Sequence, residues 1–243
     1  MVRFITNVNK DYPTMSKIII YKEPSSFFSC EYHGTRRKSD QITNDFQAAT
    51  RSLTRTKTMI KDICACNSFD LFCTFTFDPK KVDRYNIAGC CGIMTRWLFR
   101  QRDNHSPELK YLVIPELHKD GAIHFHALLA NYNGSLKDSK IVQNGRKVYN
   151  LTRYRFGFST AVKIDSMPAV ANYVTKYVTK DMLKVFNKHR YFVSRNIRRP
   201  IKTVNDSRFR DVLPLFKKKV YEDDFKQVFV YNDVSSESAS ASL

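Results

Sequence analysis

The sequence predicts an α+β fold, a central antiparallel sheet with helices packed on one face. Three observations lead there. "LFCTFTF" (71–77) is an aromatic and β-branched run closed by Asp78-Pro79, the composition of a buried strand. "KYLVIPEL" (110–117) and "AIHFHALLA" (122–130) are strands joined by the turn "HKDG" (118–121), a hairpin. Between and before them lie stretches with apolar residues at helical spacing, so the order mixes helix and strand instead of alternating regularly.

The elements follow in order. "KIIIY" (17–21) predicts a strand, and "TRRK" (35–38) a basic turn. Residues 43–66 carry Phe46, Ala49, Leu53, Met59, Ile60 and Ile63 at helical spacing, with Arg51, Arg55, Lys57 and Lys61 on the other face. The strand 71–77 comes next. "AGCCGIMTRWLFRQ" (88–101) predicts a helix with Ile93, Trp97 and Leu98 inward, despite Gly89 and Gly92. After the 110–130 hairpin, "IVQNGRKVYN" (141–150) holds an Asn-Gly turn and predicts an inserted hairpin. "GFSTAVKI" (157–164) is a strand that leads into a last helix beginning near Pro168, which suits a first turn after Asp165 and Ser166.

That last helix carries "YVTKYVTK" (173–180), the same four residues twice. On an ideal helix, at about 100° per residue, Tyr173, Tyr177, Lys176 and Lys180 share one stripe. Ala171, Val174, Val178, Met182 and Val185 cluster on a different face. Such a stripe fits a solvated helix face. It also fits a phosphate site, because a lysine beside a tyrosine hydroxyl neutralises a phosphodiester and favours the phenolate.

"HFH" supplies a second polar group. His124 and His126 alternate along a strand, so both imidazoles face one side while Phe125 faces the core. Glu116 ends the preceding strand, and the hairpin folds it back to the level of the histidines. Two imidazoles and a carboxylate suit Mg²⁺ or Mn²⁺ and leave positions open for phosphate oxygens. His118, one turn residue away, is either an outer group of this site or simply exposed.

Composition narrows the partners. The chain has 243 residues, 42% of them hydrophobic, and a formal net charge of +18, which points to a polyanion and most directly to nucleic acid. Cys30, Cys64, Cys66, Cys73, Cys90 and Cys91 form no Cys-x-x-Cys pair and no zinc-finger spacing; they are expected to be reduced packing residues. No run reaches transmembrane length and no signal-peptide pattern opens the chain, so a cytoplasmic protein without membrane contact is expected. There is no Gly-x-x-x-x-Gly-Lys-Ser/Thr loop for a nucleotide-driven motor.

In order, "FTFDP" (75–79), Glu116, "HFH" (124–126) and Tyr-x-x-Lys-Tyr-x-x-Lys resemble the three motifs of the HUH endonuclease superfamily, over roughly residues 70–182. Within it, the doubled tyrosine resembles the rolling-circle replication initiators of small phages and plasmids. The resemblance implies an RRM-like, ferredoxin-like sheet with the tyrosine helix beside the histidines. It implies metal-dependent nicking of single-stranded DNA at a replication origin. Tyr173 and Tyr177 would act as nucleophiles, assisted by Lys176 and Lys180, with Glu116, His124 and His126 holding Mg²⁺ or Mn²⁺. The product would be a 5′-phosphotyrosine and a 3′-hydroxyl primer for a host polymerase, with a host helicase opening the duplex.

This divides the chain into an extension with a basic helix (1–65), a catalytic core (66–190), a basic extension (191–234) and a Ser-rich tail (235–243) of disordered composition. Arg195, Arg198, Arg199, Lys217, Lys218 and Lys219 are the candidates for further DNA contacts. Two other readings stay open: a transposase or relaxase of the same superfamily, and a non-catalytic RRM-like module that stacks bases on Phe75, Phe77 and similar aromatics.

Overall fold

The structure is a computed structural model, and it describes residues 3–27, 38–179, 191–204, 218–223 and 226–232. In chain order it contains β1 (Arg3–Asp11), β2 (Met15–Phe27), α1 (Lys38–Cys66), β3 (Leu71–Phe77), α2 (Ile87–Asn104), β4 (Lys110–Leu117), β5 (Ile123–Ala130), β6 (Leu136–Gln143), β7 (Arg146–Leu151), β8 (Gly157–Lys163), α3 (Met167–Val174), β9 (Phe192–Val193), β10 (Ile201–Val204), β11 (Lys218–Glu222) and β12 (Lys226–Asn232). Lys180, Lys217, Met182, Val185, Cys30 and the 235–243 tail lie outside the described residues.

The fold is α+β with two antiparallel sheets, each in its own compact unit. Residues 38–198 form the larger unit, and residues 1–37 together with 199–243 form the smaller. The basic helix α1, expected in an N-terminal extension, belongs to the larger unit. The two ends of the chain, expected as separate extensions, supply one sheet of order β10-β1-β2-β12-β11. Its signal is weak because the strands that pair are far apart in sequence: Ile18 lies opposite Phe229, and Val8 opposite Val204.

The larger unit holds a sheet of order β6-β7-β8-β3-β5-β4-β9. Its centre, β8-β3-β5-β4, has the split β-α-β order of ferredoxin-like folds, with β5 inserted between β3 and the β4 that follows α2. Where that plan has a second helix before its last strand, this chain has the β6–β7 hairpin. Asn144 and Gly145 turn it, at φ +49° and +75°, the left-handed pair that a tight hairpin turn needs.

Strand alternation gives the sheet two different faces. Cys73, Phe75, Phe77, Ile123, Phe125 and Ala127 point one way and pack with Cys90, Met94, Trp97 and Leu98 of α2. Each fully buried phenylalanine there contributes roughly 1.5–3 kcal/mol. Leu112, Ile114, Leu128 and Ala130 have the opposite parity and pack with Leu53, Ile60 and Ile63 of α1 and Ala171 and Val174 of α3. Leu53, Ile60 and Ile63 of α1 and Trp97 and Leu98 of α2 are buried as the spacing predicted, whereas Met59 is exposed and Ala49 and Ile93 are only partly buried; the Phe46 side chain lies outside the described residues.

α3 begins where expected. Ser166 caps it, its hydroxyl accepting from the Ala169 amide, and Pro168 sits in the first turn. It ends sooner than the repeat predicts. After Val174 the backbone tightens to a 3-10 turn, Thr175–Tyr177, and Val178 leaves the helix at φ −82°, ψ +89°. Thr175 contributes to this, since its hydroxyl donates back to the Asn172 carbonyl at 2.8 Å and competes with helical hydrogen bonding.

Candidate active site

The pairing of β8, β3, β5 and β4 sets out the site in rows. Phe158, Thr76, His124 and Glu116 are opposite one another on successive strands; Thr160, Thr74, His126 and Ile114 form the next row. All face the α1/α3 side of the sheet. One register therefore places each histidine beside a threonine, and the bonds form: Thr76 Oγ1 to His124 Nδ1 at 3.1 Å, and Thr74 Oγ1 to His126 Nδ1 at 3.2 Å. The hairpin brings Glu116 Oε2 within 2.7 Å of His126 Nε2.

The tyrosines close over this row. The Tyr177 ring stacks on His126 with centroids 3.6 Å apart and planes 12° from parallel. Tyr173 meets Tyr177 edge-on at 5.4 Å and Phe72 at 5.5 Å. The Lys176 ammonium lies 5.5 Å from the centre of the Tyr173 ring. The two phenols stay neighbours although the helix does not run on, because a 3-10 turn still returns the chain to the same side within one turn. They are not equivalent: Tyr173 is 44% exposed, whereas Tyr177 is wedged between His126 and Tyr173.

Electrostatics follow from this packing. Burial is the main cause that holds His124 down to about 4, with a smaller repulsion from the neighbouring imidazoles His118 and His126, so its ring is neutral at pH 7. The hydrogen bond from His126 keeps Glu116 below the usual carboxylate range, against the opposing effect of burial. Burial, the hydrogen bond with Tyr173 and the negative charge of Glu116 all push the Tyr177 phenol upward. His118 is exposed but stacks on His124 at 3.6 Å, so it is an outer member of the group.

The donor set fits a divalent cation. Ionised Glu116 only accepts, so His126 Nε2–H donates to it, and in the neutral ring Nδ1 accepts from the Thr74 hydroxyl. A hydroxyl can also accept. With the proton on Nδ1, donated to Thr74, the Nε2 lone pair becomes free for a cation between His126 and Glu116. Among the described residues no three His, Cys, Asp or Glu side chains are already gathered around a metal position; Glu116 and His126 are closed on each other instead. Cys64 and Cys66 are not competing ligands: both are buried, and burial raises the Cys64 thiol to about 12.

A cavity of about 350 Å³ opens beside the tyrosines. It runs from Phe72, Thr74 and Tyr173 across β8 to the turn of the β6–β7 hairpin.

Other candidates are more dispersed. Arg195 and Arg198 are exposed in the larger unit after β9. The Arg198 main chain pairs with the buried Asn67 side chain, at 2.9 and 3.0 Å, which fixes this segment to the end of α1. Arg199 and Lys219 fall in the smaller unit, where Lys219 pairs with Glu222; Lys218 begins β11 there. Stacking of bases on Phe75 and Phe77 is overturned, since both are buried at 0% and 1% exposure beneath α2. The sheet's exposed aromatic is Phe158, 73% exposed and in line with Thr76 and His124.

Thr74, Thr76, Phe72 and Phe158 were not among the predicted site residues. The alternation in "LFCTFTF" does put 72, 74 and 76 on the face opposite Phe75 and Phe77. Their pairing with the histidines needs the register, which the sequence alone leaves open.

Residues 70–182 match a family model for the replication-associated proteins of the ORF2 type. The match covers a little under half of the chain and contains Glu116, both histidines and both tyrosines. Over that stretch the chain is similar to replication-associated proteins. Searches of curated proteins and of solved structures returned no significant match. No described helix is long and apolar enough to cross a membrane.

Proposed function

We propose that this chain is a two-tyrosine HUH endonuclease that starts rolling-circle replication by nicking single-stranded origin DNA. The observation that carries the reading is the stacking of Tyr177 on His126, with Tyr173 beside it and Glu116 2.7 Å from the same imidazole. Burial and the charge of Glu116 disfavour the Tyr177 phenolate, and a divalent cation beside Glu116 would offset that charge.

Mg²⁺ or Mn²⁺ would be held by Glu116, His124 and His126, and when bound would supply positive charge against phosphate oxygens and the developing phenolate. The chain's own residues do the rest. A tyrosine oxygen attacks phosphorus, the phenol gives up its proton, and the 3′-oxygen leaves and takes one up. A phosphotyrosyl diester replaces the DNA phosphodiester, so the step is reversible without a nucleotide cofactor. Lys176 offsets charge near Tyr173. Thr74 and Thr76 hold the imidazoles in orientation. Exposed Phe158 offers a stacking platform for a base. Two tyrosines allow one to hold the first 5′ end while the other cuts the regenerated origin. A host polymerase would extend the 3′-hydroxyl and a host helicase would open the duplex.

Incubation with single-stranded origin-type DNA and Mn²⁺ tests this. A denaturant-resistant protein–DNA band, absent with chelator and in the Tyr173→Phe/Tyr177→Phe double variant, is the expected result. No band with any single-stranded substrate contradicts the reading.

A further inference from the structure

The inserted β6–β7 hairpin is not accounted for by the chemistry above, yet its turn reaches the tyrosines. Gln143, Asn144 and Arg146 line the same cavity as Phe72, Thr160 and Tyr173. An ion pair from Arg146 Nε to Asp165 Oδ2, 2.7 Å, joins the turn to the loop that starts α3. Asn144 holds a left-handed conformation at φ +49°, so its placement is set by the turn and not by chance rotation of a loop.

The cavity has the chemistry of a nucleobase site. Its floor is the sheet, with Phe72 and Val162 apolar and Thr74 and Thr160 hydroxylic. Its outer wall offers two carboxamides, Gln143 and Asn144, each able to donate and accept at once. Carboxamides are the side chains that read the paired donor and acceptor of a base edge. At about 350 Å³ it lies at the small end of ligand pockets, room for one base and not for a duplex. Tyr173 forms part of its wall, so a base seated there would belong to a nucleotide next to the phosphate that the tyrosines face.

We infer that this cavity is a specificity subsite for one unpaired nucleobase flanking the cleaved phosphate, read by Gln143 and Asn144 of the inserted hairpin. The subsite's place beside a cleaved phosphate rests on the proposed nicking function, but the subsite itself requires only that the protein bind single-stranded DNA.

The test separates the two. A pool of single-stranded oligonucleotides randomised in sequence is bound by the full chain, and the bound fraction is sequenced for the parent and for the Gln143→Ala/Asn144→Gly variant. Glycine keeps the left-handed turn while removing the amide. The parent should prefer one base at one or more positions; the variant should lose preference at one of them, by about tenfold, and keep the others. Thr160→Phe, which fills the cavity from the sheet side, should weaken binding of the preferred sequence towards that of the pool. A parent without preference, or a variant profile identical to the parent's, overturns the subsite. Loss of selectivity by the variant, in a parent that forms no covalent adduct, would support the subsite while contradicting the nicking function.

Discussion

Thr74→Val isolates the hydroxyl that orients His126. The substitution keeps the β-branched shape, so strand packing barely changes. What is lost is the 3.2 Å bond to Nδ1 of an imidazole that is only 6% exposed. Leaving a buried polar nitrogen without its partner costs roughly 1–3 kcal/mol. In a unit of this size, 1 kcal/mol shifts the melting temperature by about 2–4 °C. Loss of the bond that fixes the ring's orientation should also weaken the proposed metal site, since removing an outer hydrogen bond to a ligating histidine typically costs about 10–100-fold in affinity. Mn²⁺ titration calorimetry and thermal melting measure both. Thr160→Val, one strand away on the same face, is the control and should leave metal affinity unchanged. Unaltered Mn²⁺ affinity and melting temperature in Thr74→Val would refute the claim that Thr74 sets the His126 ring.

Other outcomes follow from the same geometry. His124 is held near 4 when folded but titrates near 6.5 when unfolded, so the unfolded chain takes the proton first and stability falls as pH drops from about 6.5 to 4; the discounted loss is of order 2 kcal/mol, and urea titrations at pH 7 and 4.5 should show a smaller drop in His124→Asn. Glu116→Gln removes the carboxylate in contact with His126 and should lower Mn²⁺ affinity by at least tenfold without unfolding the chain, as read by calorimetry and circular dichroism. Phe158→Ala should weaken single-stranded DNA binding by about 1–3 kcal/mol in a fluorescence-anisotropy titration while leaving Mn²⁺ affinity unchanged.

The parts of this molecule that the sequence made legible are those whose signal is local. The alternation of "HFH" put both imidazoles on one face, and the short "HKDG" turn left little freedom in where Glu116 would fold back. Asn144-Gly145 announced its hairpin because few residues accept that backbone. The repeat overstates the helix from Tyr173 onward. Helical spacing over eight residues does not register that Thr175 bonds back to Asn172 and that the backbone turns away at Val178. The smaller sheet was hidden for another reason: β2 pairs with β12 across most of the chain, and no local pattern encodes that. Thr74 and Thr76 fall between these cases. Their face was readable from alternation, but their role needed a register that only the folded sheet supplies.

The central claim is that Tyr173 and Tyr177 are nucleophiles. Trapping the protein on single-stranded origin DNA with Mn²⁺, digesting it and mapping the nucleotide-bearing peptide by mass spectrometry tests that directly. The account predicts a phosphotyrosyl adduct on Tyr173 or Tyr177, retention of an adduct on the remaining tyrosine in at least one of Tyr173→Phe and Tyr177→Phe, and none in the double variant. An adduct on any other residue, or an undiminished adduct in the double variant, would contradict it.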